Sequence, residues 1–386
     1  MMRAERLRIL LLANPEAAHT VKWATGLACR GLDVRVVSLP APRAGLEEQY
    51  PGVQLEGGGV PSWTTLREAG SLAKILYLRA VSRVRAAVER HAPDVVHAHY
   101  ISSYGLLGAI AGVHPYVISV WGSDIYEFPE RSPVHRALIR FALRRADRVC
   151  ATSHVMARHT AQFTEKPIDV IAFGVDLRRF VPGRERGPFA EDDIVVGTVK
   201  TLHPKYGIDT LIEAFALVRA RHPALPLKLL IVGGGPQASE LRRLVARRGL
   251  SSVTTFTGPV PSTEVPRYHR QLDVFVALSN PTESFGVAVV EAGACGRPVI
   301  VSDVGGLPEV VDDGTTGIIV PWNRPEAAAG AIERLVLDPE LRARMGAAGR
   351  ERVARHYDLE RNLDQMIGLY RETASAYGRS GAGHGG

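Results

Sequence analysis

Short β-branched apolar runs alternate with helix-length stretches along almost the whole chain, and this alternation restricts the fold more than any other feature. Residues 7–12, 34–39, 95–98, 116–120, 148–152 and 169–172 read as buried strands, with a first helix at about 21–30. Continuous apolar runs of this length, separated by helices, mark a parallel sheet covered on both faces. The polar, Gly- and Pro-rich segment 182–188 interrupts the rhythm, which restarts at 194–199, 227–232, 253–257, 274–278, 298–301 and 317–320. Helices are expected between these runs, at 208–221 and 236–248 among others. Two doubly wound α/β domains in tandem follow. The expected limits are 1–182 for the first domain, 183–190 for a linker and 191–355 for the second domain. A helix at 356–377 is expected to pack back on the first domain, and the glycine-rich tail 378–386 to be disordered. A chain of 386 residues suits two cores, since single cores stop growing near roughly 250–300 residues.

Composition excludes several classes. Hydrophobic residues make up 46% and charged residues 23%, which leaves no room for a disordered or fibrous chain. No apolar run reaches the ~20 residues that span a bilayer. The early run 9–13 stops at Asn14-Pro15, short of a secretory core of about 7–15 residues, and reads as a first buried strand. Cys29, Cys150 and Cys295 are odd in number and far apart, which points to a reducing, cytoplasmic setting without a disulfide framework. Neither a CxxC pair nor an Asp-x-Asp triplet occurs, so no metal site is expected. The net charge of +7 comes from a chain with only six lysines among 47 basic residues. Two of those six, Lys200 and Lys205, stand five residues apart.

Ligands of open parallel sheets bind beyond the carboxyl ends of the strands, so the residues after each strand carry the chemistry. After 274–278 comes Ser279-Asn280-Pro281-Thr282-Glu283-Ser284-Phe285-Gly286-Val287, and a helix is expected from about Gly286 onward. The N–H groups of its first turn suit a phosphate oxygen, and Glu283 and Glu291 place two carboxylates at different depths of one site. An ordinary capped helix with a surface glutamate would share this spacing. Lys200 and Lys205 follow 194–199, and two cations facing a helix N-terminus suit a diphosphate. Two solvated loop lysines remain the alternative. Gly233-Gly234-Gly235-Pro236 forms a tight turn for close backbone approach to a nucleotide, with Pro236 opening the next helix. The run matches G-x-G-x-x-A through Ala238, but no acidic residue follows near Phe256-Thr257-Gly258, as a dinucleotide site requires. Gly305-Gly306 before Pro308 is expected to leave further N–H groups open. In the first domain, His99 and Asp124 stand at or just beyond strand tips. His99 there positions a hydroxyl or serves as a structural histidine.

Taken together, Glu283-Ser284-Phe285-Gly286 with Glu291, Gly296-Arg297-Pro298, Gly305-Gly306-x-Pro308-Glu309 and Gly314-x-x-Gly317 resemble the donor signature of the retaining GT-B glycosyltransferases of family 4. Phe173-Gly174-Val175-Asp176 and Lys205-x-Gly207 extend the resemblance over roughly residues 7–375. The resemblance implies two Rossmann-like domains facing across a cleft. It also implies transfer of a sugar, with retention, from a UDP- or GDP-sugar donor to a hydroxyl acceptor. It makes Glu283, Lys205, Asp124 and His99 the catalytic candidates. Donor contacts fall to Lys200, Lys205, Gly233, Gly234, Gly235, Pro236, Val260, Glu283, Ser284, Phe285, Gly286, Val287 and Glu291, with Glu291 on the ribose hydroxyls. Lys200 stands where the family usually has arginine, which replaces a fork with a point charge. Trp121 stands where the family often has histidine. His19, Lys22 and Trp121 are the acceptor-side candidates.

The expected acceptor is a glycan or lipid-linked glycan of envelope polysaccharide or glycolipid synthesis. The basic residues Arg136, Arg140, Arg144, Arg145 and Arg148, and a second stretch of Arg67, Lys74, Arg79, Arg83, Arg85 and Arg90, suit either a solvated face or peripheral contact with the inner, anionic face of a membrane. Neither a metal nor a cofactor beyond the donor is expected, and nucleic acid is not an expected partner. The alternatives are a nucleotide-sugar-binding protein without turnover and a GT-B nucleotide-sugar epimerase.

Overall fold

The computed structural model describes residues 6–57 and 72–382. The chain divides into two compact units, Met1–Ala172 with Glu360–Gly386, and Phe173–Leu359. Among the described residues no helix is long and apolar enough to cross a membrane.

The first unit holds seven strands: β1 (Arg8–Leu12), β2 (Asp33–Ser38), β3 (Val53–Gly57), β4 (Val95–His99), β5 (Tyr116–Val120), β6 (Arg148–Ala151) and β7 (Ile168–Val170). All pairings are parallel, and the order is β3-β2-β1-β4-β5-β6-β7. The second holds β8 (Ile194–Val199), β9 (Leu227–Val232), β10 (Thr254–Gly258), β11 (Val274–Ala277), β12 (Val299–Ser302) and β13 (Gly317–Val320). Its order, β10-β9-β8-β11-β12-β13, is again parallel and repeats the same winding. The central strands are buried on both faces, as their uninterrupted Val, Ile and Leu content requires. The edge strand β3 escapes a search for such runs because Val53-Gln54-Leu55-Glu56-Gly57 alternates.

In each sheet the winding reverses between two neighbouring strands, β1 and β4 in the first and β8 and β11 in the second. Loops leaving those strands diverge and open a crevice at their carboxyl ends. Ala13–His19 and His99 stand at the first reversal, and Lys200 and Ser279–Glu283 at the second.

The chain crosses between the units at 172/173 and 359/360, not within the polar segment 183–190. That segment is a strap on the second unit. Glu185 pairs with Arg267 at 2.8 Å and Arg270 at 3.1 Å, and Phe189 is buried. Its polarity serves ion pairs on one body. Upstream, Val175 N–H donates to Tyr357 O and Phe180 packs beside His269 within the same unit.

The helix Leu359–Ala382 belongs to the first unit from Glu360 onward. Leu363 is fully buried against Gly26, where a Cβ would meet its Cδ1 at 2.5 Å. Arg30 bonds Glu360 at 2.5 Å and Asp364 at 3.0 Å, and Asn362 Nδ2 donates to Ala172 O at 2.9 Å. The helical backbone runs to Ala382, where the glycine-rich composition predicts disorder from Gly378. Residues 383–386, and Arg67 of the second basic stretch, lie outside the described residues.

Leu363→Ala empties a fully buried site, so a loss of about 2–5 kcal/mol is expected. Urea unfolding followed by fluorescence of Trp23, buried on the contacted helix Ala18–Cys29, reads it. A loss under about 1 kcal/mol would show that this helix contributes little to the unit.

Candidate functional site

Two clusters form at the two sheet reversals, one in each unit. In the second unit the loop after β8 carries Lys200 and the loop after β11 carries Glu283, and the reversal brings them together. Lys200 Nζ lies 3.1 Å from Glu283 Oε2, with both side chains largely buried. Ser279 Oγ donates to the same carboxylate oxygen at 3.2 Å. Tyr206 lies beneath both lysines, its ring centre 4.3 Å from Lys200 Nζ and 5.9 Å from Lys205 Nζ. A ring face attracts a desolvated ammonium and holds it without neutralising it.

Burial alone would raise the pKa of Glu283. The positive charges of Lys200 and Lys205 outweigh it, aided by hydrogen bonds from Lys200 and Ser279, and hold the carboxyl below its ordinary range. Burial alone would likewise lower Lys200, and the charge of Glu283 reverses this and raises it. The pair is therefore ionised at neutral pH. Its two charges largely cancel, and Lys205 adds a further positive charge beside them. The backbone supports this placement, since Asn280 N–H donates to Lys205 O at 2.8 Å.

Past Glu283 the chain turns into the helix Val287–Ala294, whose cap is Gly286 in the left-handed region at φ 95°. Ser284 and Phe285 are buried, and Phe285 packs edge-on against Phe173 and Tyr357 at 6.1 and 5.5 Å between ring centres. These rings fix the entry of the chain into the helix. The first-turn N–H groups at Val287 carry the positive end of the helix dipole. Glu291 lies one turn on and is partly exposed.

The paired glycines have a different task from the one their spacing suggests. Gly306 N–H donates to Glu283 O at 3.0 Å. A Cβ on Gly305 or Gly306 would overlap the carbonyls of Glu283 or Ser284. The pair buttresses the Glu283 loop from behind, and the Gly306 N–H expected to be open is engaged there. Gly233 and Gly235 act in the same way on the loop after β8, since a Cβ on either would overlap Lys200 O or Leu202 O. Lys200 N–H donates to Val232 O and Leu202 N–H to Gly234 O, both at 2.9 Å. The following helix begins at Ala238, so Pro236 stands in the turn before it and does not open it. Val260 lies two residues beyond β10 and is half-buried.

In the first unit, His99 ends β4 and is buried beside Trp121, 4.6 Å between ring centres. His19 meets the same indole at 5.9 Å. Burial pushes His99 down to about 3, so its ring is neutral, and its Nδ1 has no hydrogen-bond partner among the described residues. Behind it, His97 bonds Tyr370 Oη at 2.6 Å and Ser119 Oγ at 2.8 Å. Burial and then the neighbouring His99 hold His97 well below its usual value. His97, Tyr370, Ser119 and Tyr206 carry no signal in the sequence that marks them, because their partners are remote in the chain. Lys22 is on the helix Ala18–Cys29 with His19.

Asp124 is fully buried and accepts from Ile101 N–H at 2.8 Å, Gly122 N–H at 2.7 Å and Trp121 N–H at 3.1 Å. Burial raises its pKa to about 6 despite these bonds. Both oxygens accept from the main chain, so Asp124 ties the loop after β4 to the loop after β5 and holds Trp121 beside His99. Among the described residues no group of three metal-ligating side chains occurs.

The family model for glycosyl transferases group 1 matches residues 183–352, and that for glycosyl transferase 4-like proteins matches 8–153. The D-inositol 3-phosphate glycosyltransferase of Saccharomonospora viridis is 31% identical, covering 92% of this chain and 88% of that protein. The GDP-mannose-dependent alpha-(1-6)-phosphatidylinositol monomannoside mannosyltransferase of Mycolicibacterium smegmatis is 32% identical, over 70% of this chain and 74% of that one. Sucrose-phosphate synthase from Thermosynechococcus elongatus superimposes with a TM-score of 0.82 at 25% identity, over 96% of this chain and all (100%) of that one. Anabaena HepE, solved in complex with UDP, shares the fold with a TM-score of 0.78 at 20% identity, over 95% and 100% of the two chains. The two sheets, the signature around Glu283 and these relatives together place the chain in the group 1 family of GT-B glycosyltransferases.

Proposed function

We propose that the chain moves a sugar from a nucleoside-diphosphate donor to a hydroxyl acceptor with retention at the anomeric carbon. The observation that carries this reading is the cluster at the second sheet reversal: two lysines around an ionised carboxylate, beside a helix N-terminus. A nucleoside diphosphate gains negative charge as its bond to the sugar breaks. Fixed cations and helix N–H groups stabilise that charge without reorganising. On this reading Lys205 and Lys200 hold the diphosphate, aided by the N–H groups at Phe285, Gly286 and Val287. Glu283 orients the donor sugar and Glu291 binds the ribose. The departing phosphate takes the acceptor's proton on the same face, with Glu283 held in its ion pair with Lys200 and Glu291 engaged with the ribose. No metal is needed in this scheme, because the lysines supply the positive charge.

The acceptor side falls to His99, Trp121, His19 and Lys22. A neutral imidazole at His99 donates or accepts a hydrogen bond to a hydroxyl, and the indole offers a face to a sugar or polyol ring. Relatives named for inositol 3-phosphate and for a phosphatidylinositol mannoside support a polyol or lipid-linked acceptor in envelope synthesis. The basic helix Pro133–Arg145, with Val134 exposed, supports peripheral contact with an anionic membrane from the cytoplasmic side.

The deciding experiment is isothermal titration with UDP, GDP and ADP, with and without EDTA, followed by turnover of the matching sugar donor. One base bound equally in EDTA, and an axial or equatorial product linkage matching that of the donor by NMR, is the expected result. Inversion, or binding abolished by EDTA, would overturn the corresponding part.

Lys205→Ala is expected to lower kcat by about 10²–10³ with little change in fold, read by steady-state kinetics and circular dichroism. Unchanged kcat would remove Lys205 from the diphosphate site. His99 is expected to stay neutral from about pH 8 to about pH 5, because its pKa of about 3 lies below that window. Proton NMR of the ring tests this, and a titration midpoint inside the window would show that His99 is solvated.

A further inference from the structure

Glu291 has a neighbour that the scheme above leaves unused. His269, on the helix Val265–Gln271, has a side chain that is 0% exposed, and neither ring nitrogen has a hydrogen-bond partner among the described residues. Its ring lies among apolar ones, 5.4 Å from Phe275 and 6.1 Å from Phe180 between centres. A buried polar ring in such surroundings is costly to keep unless it is satisfied in some state of the protein. Glu291 faces it: Oε2 stands 3.5 Å from Nε2, just beyond a hydrogen bond. The Glu291 side chain is 21% exposed, so it can rotate, whereas the histidine is clamped.

We propose that His269 is a positioning residue for the donor site: with a nucleoside diphosphate bound, Nε2–H donates to Glu291 Oε2 and holds the other carboxylate oxygen toward the ribose hydroxyls. A proton on Nε2 gives the donor that faces the carboxylate and leaves Nδ1 aprotic among the aromatic rings. A free carboxylate side chain loses rotamer freedom when it grips a ribose. A hydrogen bond from a rigid, buried donor supplies part of that order in advance. The consequence is selectivity for ribose over 2′-deoxyribose, because only a fixed carboxylate distinguishes the two sharply.

This inference rests on the reading that Glu291 contacts the ribose, and the test separates the two. Whichever of UDP, GDP and ADP binds the native chain most tightly is titrated beside its 2′-deoxy counterpart, in native protein, Glu291→Ala, His269→Phe and His269→Gln. Native protein is expected to favour the ribonucleotide by about tenfold, the worth of one charge-assisted hydrogen bond. Glu291→Ala should remove the preference, His269→Phe should reduce it severalfold while preserving the fold, and His269→Gln should restore most of it through its amide N–H. A preference that survives Glu291→Ala overturns the ribose reading and the inference with it, as does the absence of binding by all three diphosphates. A preference lost in Glu291→Ala but intact in His269→Phe overturns the role of His269 alone. Should His269→Phe fail to fold, nitrogen-15 NMR of histidine-labelled native protein decides the matter. Diphosphate binding is expected to shift the His269 Nε2–H resonance, and an unmoved resonance overturns the proposal.

Discussion

Lys200 and Glu283 are 83 residues apart in the chain, and their contact organises the second unit's crevice. It exists because β8 and β11 are neighbours whose crossovers leave in opposite directions, so the loops after them part and expose both side chains to the same space. Charge then does the rest. A buried carboxylate without a partner would take up a proton, and a buried ammonium would lose one. Paired, each keeps the other ionised, and the pair presents a preset, polar floor beside which Lys205 contributes to holding Glu283 ionised. The glycines at 233, 235, 305 and 306 follow from this requirement: they let the two loops be propped from behind by main chain, so that neither charge can retreat.

The first unit solves a related problem with neutral groups. Its reversal between β1 and β4 carries histidines whose burial keeps them uncharged. Their orientation comes from outside the sheet. Tyr370, on the terminal helix, bonds His97, which supports His99 edge-on at 4.7 Å. Asp124 fixes Trp121 by holding the main chain around it. The position of one imidazole thus depends on a residue far downstream, His97 to Tyr370 spanning 273 positions.

What the sequence discloses and what it hides divide along physical lines. Strands buried on both faces announce themselves as unbroken apolar runs, so 116–120, 194–199, 227–232 and 317–320 are legible to the residue. The edge strand Val53–Gly57 is not, because one side of it is wet. Lys200 is legible because it follows directly on a buried apolar run, and Glu283 and Gly286 because they stand in the segment between such a run and the next helix, where a parallel sheet places its ligands. Contacts between distant loops are not: nothing near Asp124 tells that Ile101 N–H will need it, and nothing near His269 tells that Glu291 will face it. The polar stretch 182–188 misleads for a similar reason, since Gly, Pro and charge look alike whether a segment joins two bodies or straps one of them.

The first unit is discontinuous in the chain: its sheet is complete by residue 172, but its covering helix comes after residue 359. During synthesis the groove beside Gly26 stays open while the whole second unit is made, at about 5–20 residues per second. For at least several seconds the emerging sheet therefore lacks Leu363 and Tyr370, and the histidine pair lacks its anchor. The second unit has no such dependence on later sequence and is placed to fold first, although it is translated second. The helix Leu359–Ala382 then acts as a closing latch, so that the histidine pair acquires its final arrangement only after Tyr370 has been made.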